Sequence, residues 1–422
     1  MIKKLSLLSC FVVSTSFSIA QEIDEKKDTI KQLKQQVQLH ESAISVLKQF
    51  KISGYIQAQI QHGEKNATLR VGSANTNTQS DFNRFGIRRG RIKIAYEKGI
   101  ATSVFQLDIT EKKIRLRDAY LAVKDPWVGS NVLKAGVFDR PFGYEVSYSS
   151  SRRESPERAT VITTLFPDEK DMGVILTLQA PKTSPWSILK LDAGMLAGNT
   201  INADLDNRKD FIGHLSFNKD LKQRINICGG VSYYWGGVYQ GSSTVYSMRG
   251  SSFESSKDTA NFGAFAKREY FGIDAQLATT TSMGLSSLYG EYIWGTQPGD
   301  KNSTISPNYA TLPTSPTYIR SFNGYYITYV QDLGKIPLSM ILKYDYYDPN
   351  TKVSKNQIGL NGSGSADIAY AAWGSGLMWR INNSLRLTAY YDLVSNETSS
   401  HLTGYSQDLS DNVFTLRLQY KY

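Results

Sequence analysis

The nine residues Phe414-Thr415-Leu416-Arg417-Leu418-Gln419-Tyr420-Lys421-Tyr422 alternate apolar and polar without a break. Successive side chains of a strand point to opposite faces. Phe414, Leu416, Leu418, Tyr420 and Tyr422 therefore share one face. Thr415, Arg417, Gln419 and Lys421 share the other. A soluble sandwich strand can carry this alternation too. Charges on one face and aromatics at the end fit better the lipid-out, water-in arrangement of an outer-membrane barrel.

The same period of two begins at Lys51. Ile52, Gly54, Ile56, Ala58 and Ile60 alternate with Ser53, Tyr55, Gln57, Gln59 and Gln61. Ile92, Ile94 and Tyr96 oppose Arg91, Lys93 and Ala95, and Phe105, Leu107 and Ile109 oppose Gln106, Asp108 and Thr110. Further alternating stretches follow to the last strand, about seventeen in all, with boundaries loose by several residues. Single-chain bacterial barrels favour even numbers. The expected fold class is therefore all-β, a transmembrane antiparallel β-barrel of sixteen strands, with eighteen as the alternative. Short links such as 332–337 and 381–384 interleave with long polar ones such as 240–260 and 295–320. Short periplasmic turns and long outer loops produce that asymmetry.

Composition agrees with a barrel. No run approaches the roughly eighteen apolar residues of a spanning helix. Tyr is frequent, at 26, and suits aromatic girdles at two membrane interfaces. Residues 1–20 read as a secretory signal: basic Lys3 and Lys4, an apolar stretch to Ile19, and Ser18-Ile19-Ala20 before Gln21. Cleavage there removes Cys10 and leaves Cys228, so no internal disulfide forms. A closed hydrogen-bond ladder would stabilise the exported chain instead. Without Lys3 and Lys4 the chain has 46 basic and 38 acidic residues, a net +8. In an exported protein this argues against nucleic acid and for cations facing a pore, which favour anions.

Residues 22–49 differ. They are polar, free of Gly and Pro, and carry a seven-residue repeat. Ile23, Ile30, Val37 and Ile44 occupy one position; Lys26, Leu33, His40 and Leu47 occupy the other. The expectation is a short coiled-coil helix ahead of a barrel over 51–422.

Catalytic groups are sparse. His40, His62, His214 and His401 show no metal-ligand spacing, and no nucleophile elbow or phosphate-cradling loop occurs. No enzyme activity, metal or cofactor is expected. Asp204, Asp206, Asn207 and Asp210 lack the glycine and closing Glu of a calcium loop and read as a solvated turn.

The basic clusters carry more. Arg88, Arg89, Arg91 and Lys93 crowd the start of one strand. By parity Arg89, Arg91 and Lys93 face inward, whereas Arg88 falls on the lipid side. A mid-bilayer Arg costs about 2–4 kcal/mol, so Arg88 must lie at a strand end or in a bulge. A second cluster sits in the long connection from about 140 to 170. It holds Ser149, Ser150, Arg152, Arg153 and Arg158. Long loops of this sort tend to be functional. Folded inward, this one would narrow a channel, and its guanidinium forks match phosphate or carboxylate oxygens.

With these residues in place the chain resembles the phosphate-selective porin O/P family, in the form seen in Bacteroidetes-type bacteria. The resemblance rests on Gly54-Tyr55-Ile56-Gln57, Arg88-Arg89-Gly90-Arg91-Ile92, Arg117-Asp118-Ala119-Tyr120, Pro141-Phe142-Gly143-Tyr144-Glu145, Ser149-Ser150, Glu157-Arg158, Tyr344-Asp345 and Asp348-Pro349-Asn350-Thr351. It implies a homotrimer of sixteen-stranded barrels, extended by the coiled coil into the periplasm. It also implies paired strand arginines at Arg88 and Arg89, constriction serines at Ser149 and Ser150, and a loop arginine at Arg158. Val146 and Ser151 stand where phosphate-specific members place lysines, so a general anion preference is expected rather than phosphate selectivity.

The expected function is passive diffusion of small hydrophilic solutes, anions preferred, through a barrel in the outer membrane of a Gram-negative bacterium. Its partners are outer-membrane lipid, small anions and the barrel-assembly machinery, to which an aromatic-ended last strand is suited. A non-conducting anchor or adhesin is the alternative, distinguished by the absence of conductance.

Overall fold

The computed structural model describes residues 26–77, 79–221 and 224–422. The expected signal segment 1–20 and the first heptad residue, Ile23, lie outside them. Residues 26–47 form helix α1. Its seam residues Ile30, Leu33, Val37, Ile44 and Leu47 are all exposed on the single chain.

From Phe50 onward the chain is strand. The first nine strands are β1 (Phe50–Gly63), β2 (Phe82–Lys98), β3 (Ala101–Ile109), β4 (Ile114–Lys124), β5 (Val132–Asp139), β6 (Lys170–Gln179), β7 (Leu189–Leu196), β8 (Asp210–Leu221) and β9 (Ile225–Tyr239). A small hairpin follows, β10 (Thr244–Arg249) with β11 (Ser252–Lys257). Then come β12 (Phe265–Thr281), β13 (Gly284–Gly299), β14 (Thr317–Asp332), β15 (Leu338–Asp348), β16 (Tyr370–Arg380), β17 (Leu385–Asn396) and β18 (Val413–Lys421).

β9 pairs directly with β12, so the β10–β11 hairpin stands outside the wall within a long loop. It touches the wall at β14, through three parallel pairs with β10 and through Phe253 of β11 against Tyr318 and Arg320. The remaining strands form a closed antiparallel barrel of sixteen. The closing strand β18 pairs with β1 from Tyr55↔Lys421 to Gly63↔Val413. Backbone bonds between Gly54 and Tyr422 complete the seam. Closure gives every wall strand two partners, which a spanning sheet requires because hydrocarbon offers no hydrogen bonds. Among the described residues no helix is long and apolar enough to cross a membrane.

The faces sort as the alternation requires. On β18, Phe414, Leu418 and Tyr420 are exposed on the outside, while Thr415, Arg417 and Gln419 are buried within. On β1, Ile52 and Ile56 face out and Tyr55, Gln57, Gln59 and Gln61 face in. Short turns gather at one rim, including 99–100, 282–283 and 381–384. Long loops gather at the other, including 140–169, 240–264 and 349–369.

Two register shifts interrupt the ladder. Between β1 and β2, Gln57 faces Arg89 and Ala58 faces Ile87, leaving Arg88 as an extra residue. Between β3 and β4, Gln106 faces Asp118 and Leu107 faces Leu116, leaving Arg117 extra. A bulge of this sort breaks the parity and re-aims a side chain. Arg88 reaches Glu157 within the lumen, and Arg117 and its neighbour Asp118 are both buried. The second bulge also hides β4 from a search for period two.

The hydrophobic core sits inside the barrel. The connection 140–169 folds into the lumen and carries a one-turn helix α2 (Thr160–Leu165). Phe142, Val146, Val161, Ile162, Leu165 and Phe166 on this loop are fully buried. They pack on wall residues that include Tyr234, Tyr270, Phe322 and Tyr326. Each such side chain contributes about 1.5–3 kcal/mol on burial, so the loop is held as firmly as a small domain core.

Candidate functional site: a cation-lined constriction

Polar ties fix the loop to the wall on several sides. At the N-terminus of α2, Thr160 donates through N and Oγ1 to Asp345 of β15, at 2.7 and 3.0 Å. The Ala159 N–H donates to Glu145 at 2.9 Å. Glu291 of β13 accepts from the Tyr144 N–H at 2.9 Å and from the Glu145 N–H. Ser232 of β9 accepts from the Gly143 N–H at 2.8 Å. On the opposite side, Arg386 of β17 donates to the carbonyls of Arg152 and Arg153.

Two acidic loop residues gather the arginines. Glu157 binds Arg88 through two bonds of 2.8 Å, Arg89 at 3.2 Å and Arg417 of β18 at 2.8 Å. Glu169 binds Arg117 and Arg158. Burial opposes ionisation of Glu157, but Arg88, Arg89 and Arg417 outweigh it and hold the carboxyl well below the usual range. Burial likewise opposes ionisation of Glu169, and Arg158 and Arg117 outweigh it with the same result. Both loop carboxylates therefore stay charged.

Two cavities flank the loop. One of about 440 Å³ lies toward the long-loop rim, between the loop and β2–β4. Nine basic side chains line it: Arg70, Arg88, Arg89, Arg91, Lys112, Lys113, Arg115, Arg117 and Arg158. Four acids face them: Asp108, Glu157, Asp168 and Glu169. The other, about 570 Å³, lies toward the short-turn rim. It is nearly balanced, with Lys93, Lys134 and Lys190 against Asp118, Asp139, Asp192 and Asp274. Lys170 is buried beside the inner cavity's acids, bonded to Asp118 at 2.5 Å and paired with Asp139 at 2.8 Å.

The structure thus places the sequence-selected residues unevenly. Arg88, Arg89, Arg91 and Arg158 line the outer cavity and Lys93 the inner one. Arg91 lies 3.6 Å from Asp108. Arg158 is more a brace than an open site, since it also donates to the carbonyls of Glu145, Val146 and Tyr148. Ser150 turns to the wall, its Oγ 2.5 Å from the Tyr55 hydroxyl and its carbonyl accepting from Gln57. Ser149 is exposed and bonded to Ser151 at 3.0 Å. Arg152 is exposed, while Arg153 is buried on the carbonyls of Ser155 and Pro156. Asp210, expected in a solvated turn, is instead buried against Arg268 and Tyr234. None of Glu157, Glu169, Arg115 and Arg117 was selected from sequence as a site residue, although Arg117 and Glu157 lie in motifs that carry the resemblance. Of the two bulge arginines, Arg88 was readable as a parity conflict and Arg117 was not, and the glutamates lay in a loop with no period to read.

No family model matches the chain, and no curated protein matches it. Solved structures do. OprB of Pseudomonas putida superposes with a TM-score of 0.53 at 10% identity, covering 91% of this chain and 97% of that one. DcaP, an outer membrane channel of Acinetobacter baumannii, gives 0.52 at 10%, covering 88% and 97%. OmpT of Vibrio cholerae, in a trimer form, gives 0.50 at 10%, covering 88% and 99%. At these identities the likeness is one of fold. The chain has the barrel of outer-membrane porins.

Proposed function

We propose that the protein is an outer-membrane diffusion channel for small hydrophilic solutes that prefers anions. The observation that carries this reading is the charge of the outer cavity, nine basic against four acidic side chains beside an infolded loop. Cations at a constriction lower the barrier for anions and raise it for cations. The shared fold of outer-membrane channels supports the diffusion role. The motif resemblance supports kinship with the phosphate-selective porin O/P family. The exposed seam of α1 supports a homotrimer whose helices pair in the periplasm after export and removal of residues 1–20.

Liposome swelling tests the channel. Vesicles carrying the protein should admit a small sugar and a small anion, and the anion faster. Vesicles that admit neither would favour the non-conducting anchor.

A further inference from the structure

Glu157 is bound as a free anion would be bound. Its Oε1 accepts from Arg88 Nε and Arg417 Nη2, and its Oε2 from Arg88 Nη2 and Arg89 Nη2. Those four charge-assisted bonds fill the acceptor positions of a carboxylate. Arg89 and Arg417 are themselves held in place from behind. Arg89 Nη1 donates to Gln57 at 3.0 Å, and Arg417 donates to Gln59 and the Pro156 carbonyl, both at 2.7 Å. Arg89 and Arg417 therefore keep these ties without the glutamate, whereas the hydrogen bonds of Arg88 among the described residues both go to Glu157.

The charge does not balance. Arg153 Nη2 and Arg417 Nη1 both donate to the Pro156 carbonyl, at 3.0 and 2.7 Å, so the two guanidinium groups are neighbours. Arg153 is 1% exposed, and its Nη1 has no hydrogen-bond partner among the described residues. Three guanidinium groups thus bind one carboxylate, and a fourth stands beside them on the Pro156 carbonyl. The Glu157 side chain is 21% exposed and borders the outer cavity, so solute reaches the cage.

Resting on the anion-channel reading above, we propose that Glu157 sets the channel's selectivity by occupying an oxyanion site built from Arg88, Arg89, Arg153 and Arg417. The ligand class is a small oxyanion with several oxygens, phosphate being the simplest. A channel must hold an ion strongly enough to admit it and weakly enough to release it. With Glu157 in the cage, a passing anion meets only the excess charge. Without it, the cage becomes a retention site.

The test is Glu157→Gln, which keeps shape and removes charge. Calorimetric titration of the purified full-length protein with inorganic phosphate should show affinity tightened at least roughly tenfold over wild type. In planar bilayers phosphate should then block the chloride current of the variant at concentrations that leave wild type open. Equal phosphate affinity in the folded variant and wild type overturns the proposal. Where Glu157→Gln fails to give a heat-modifiable barrel, the comparison is made between Arg88→Met and Arg88→Met/Glu157→Gln. Tighter phosphate binding by the double variant supports the assignment, and equal binding overturns it. A wild-type protein that carries no current would contradict the channel reading while leaving the calorimetric comparison intact, so the two failures are distinguishable.

Discussion

Arg88 and Glu157 meet as a two-pronged pair, with the guanidinium Nε and Nη2 donating to separate carboxylate oxygens, each at 2.8 Å. The pair joins the bulge residue of β2 to the infolded loop. By alternation alone Arg88 belongs on the lipid face. The extra residue in the β1–β2 ladder turns it inward, and the loop carboxylate receives it. The β4 bulge repeats the device, with Arg117 meeting Glu169. Bulge and loop thus form one unit in which a wall arginine of each bulge meets a loop carboxylate.

Glu169 ties the loop to β4 by pairing both with the wall residue Arg117 and with the loop residue Arg158. Glu169→Gln leaves two buried guanidinium groups underpaired. Breaking a buried pair costs about 3–5 kcal/mol. The variant should lose its heat-resistant barrel form at a lower temperature than wild type and show a noisier single-channel current as the loop loosens. Unchanged heat resistance and noise would contradict the bracing role.

The pH response has a definite sign. A carboxyl whose folded-state pKa is depressed stabilises the folded protein above its unfolded value, about 4.3 for Glu. That contribution is lost as pH falls through the folded-state value. Glu157 and Glu169 are both held well below the usual range, so their ties persist into acid. The open current level should be the same at about pH 7 and about pH 5. A step to a larger conductance within that window would contradict the assignment.

The closing strand separates lipid from lumen. Leu418 is 45% exposed on the outer face, between inward Arg417 and Gln419. Leu418→Arg places a charge against hydrocarbon, at a cost of about 2–4 kcal/mol near the midplane. Urea unfolding in lipid vesicles should shift to lower denaturant by a corresponding amount. Thr415→Ser, on the inner face, should shift it little.

Cys228 is a built-in reporter. It faces inward from β9, is partly exposed, and lines the inner cavity. A bulky charged methanethiosulfonate reagent should lower the single-channel conductance, and Cys228→Ser should abolish the effect. A reagent that labels Cys228 without changing the current would place the conducting path elsewhere.

Much of the barrel was legible because lipid enforces a strict alternation. β1 and β18 show it residue by residue, and the lumen faces of both follow from it. β4 was not legible because its bulge sets Arg117 and Asp118 on one side. The β10–β11 hairpin was not, because Ser- and Thr-rich strands outside the membrane need no alternation. The wall cations at Arg89, Arg91 and Lys93 were readable by parity. Their loop partners were not, since Glu157 lies 69 residues from Arg88 and 260 from Arg417, and a single Glu in a polar loop has no period. Ser150 shows the same limit: its hydroxyl bonds to Tyr55, which lies 95 residues away.

The central claim is that the cation-rich outer cavity makes the passage prefer anions. The most direct measurement is the reversal potential of the wild-type protein in a planar bilayer under a potassium chloride gradient. The arrangement predicts a potential of the sign set by chloride, shifting toward the potassium side when Arg89 and Arg91 are both changed to Glu. A wild-type potential of the sign set by potassium, or one unmoved by those changes, would contradict it.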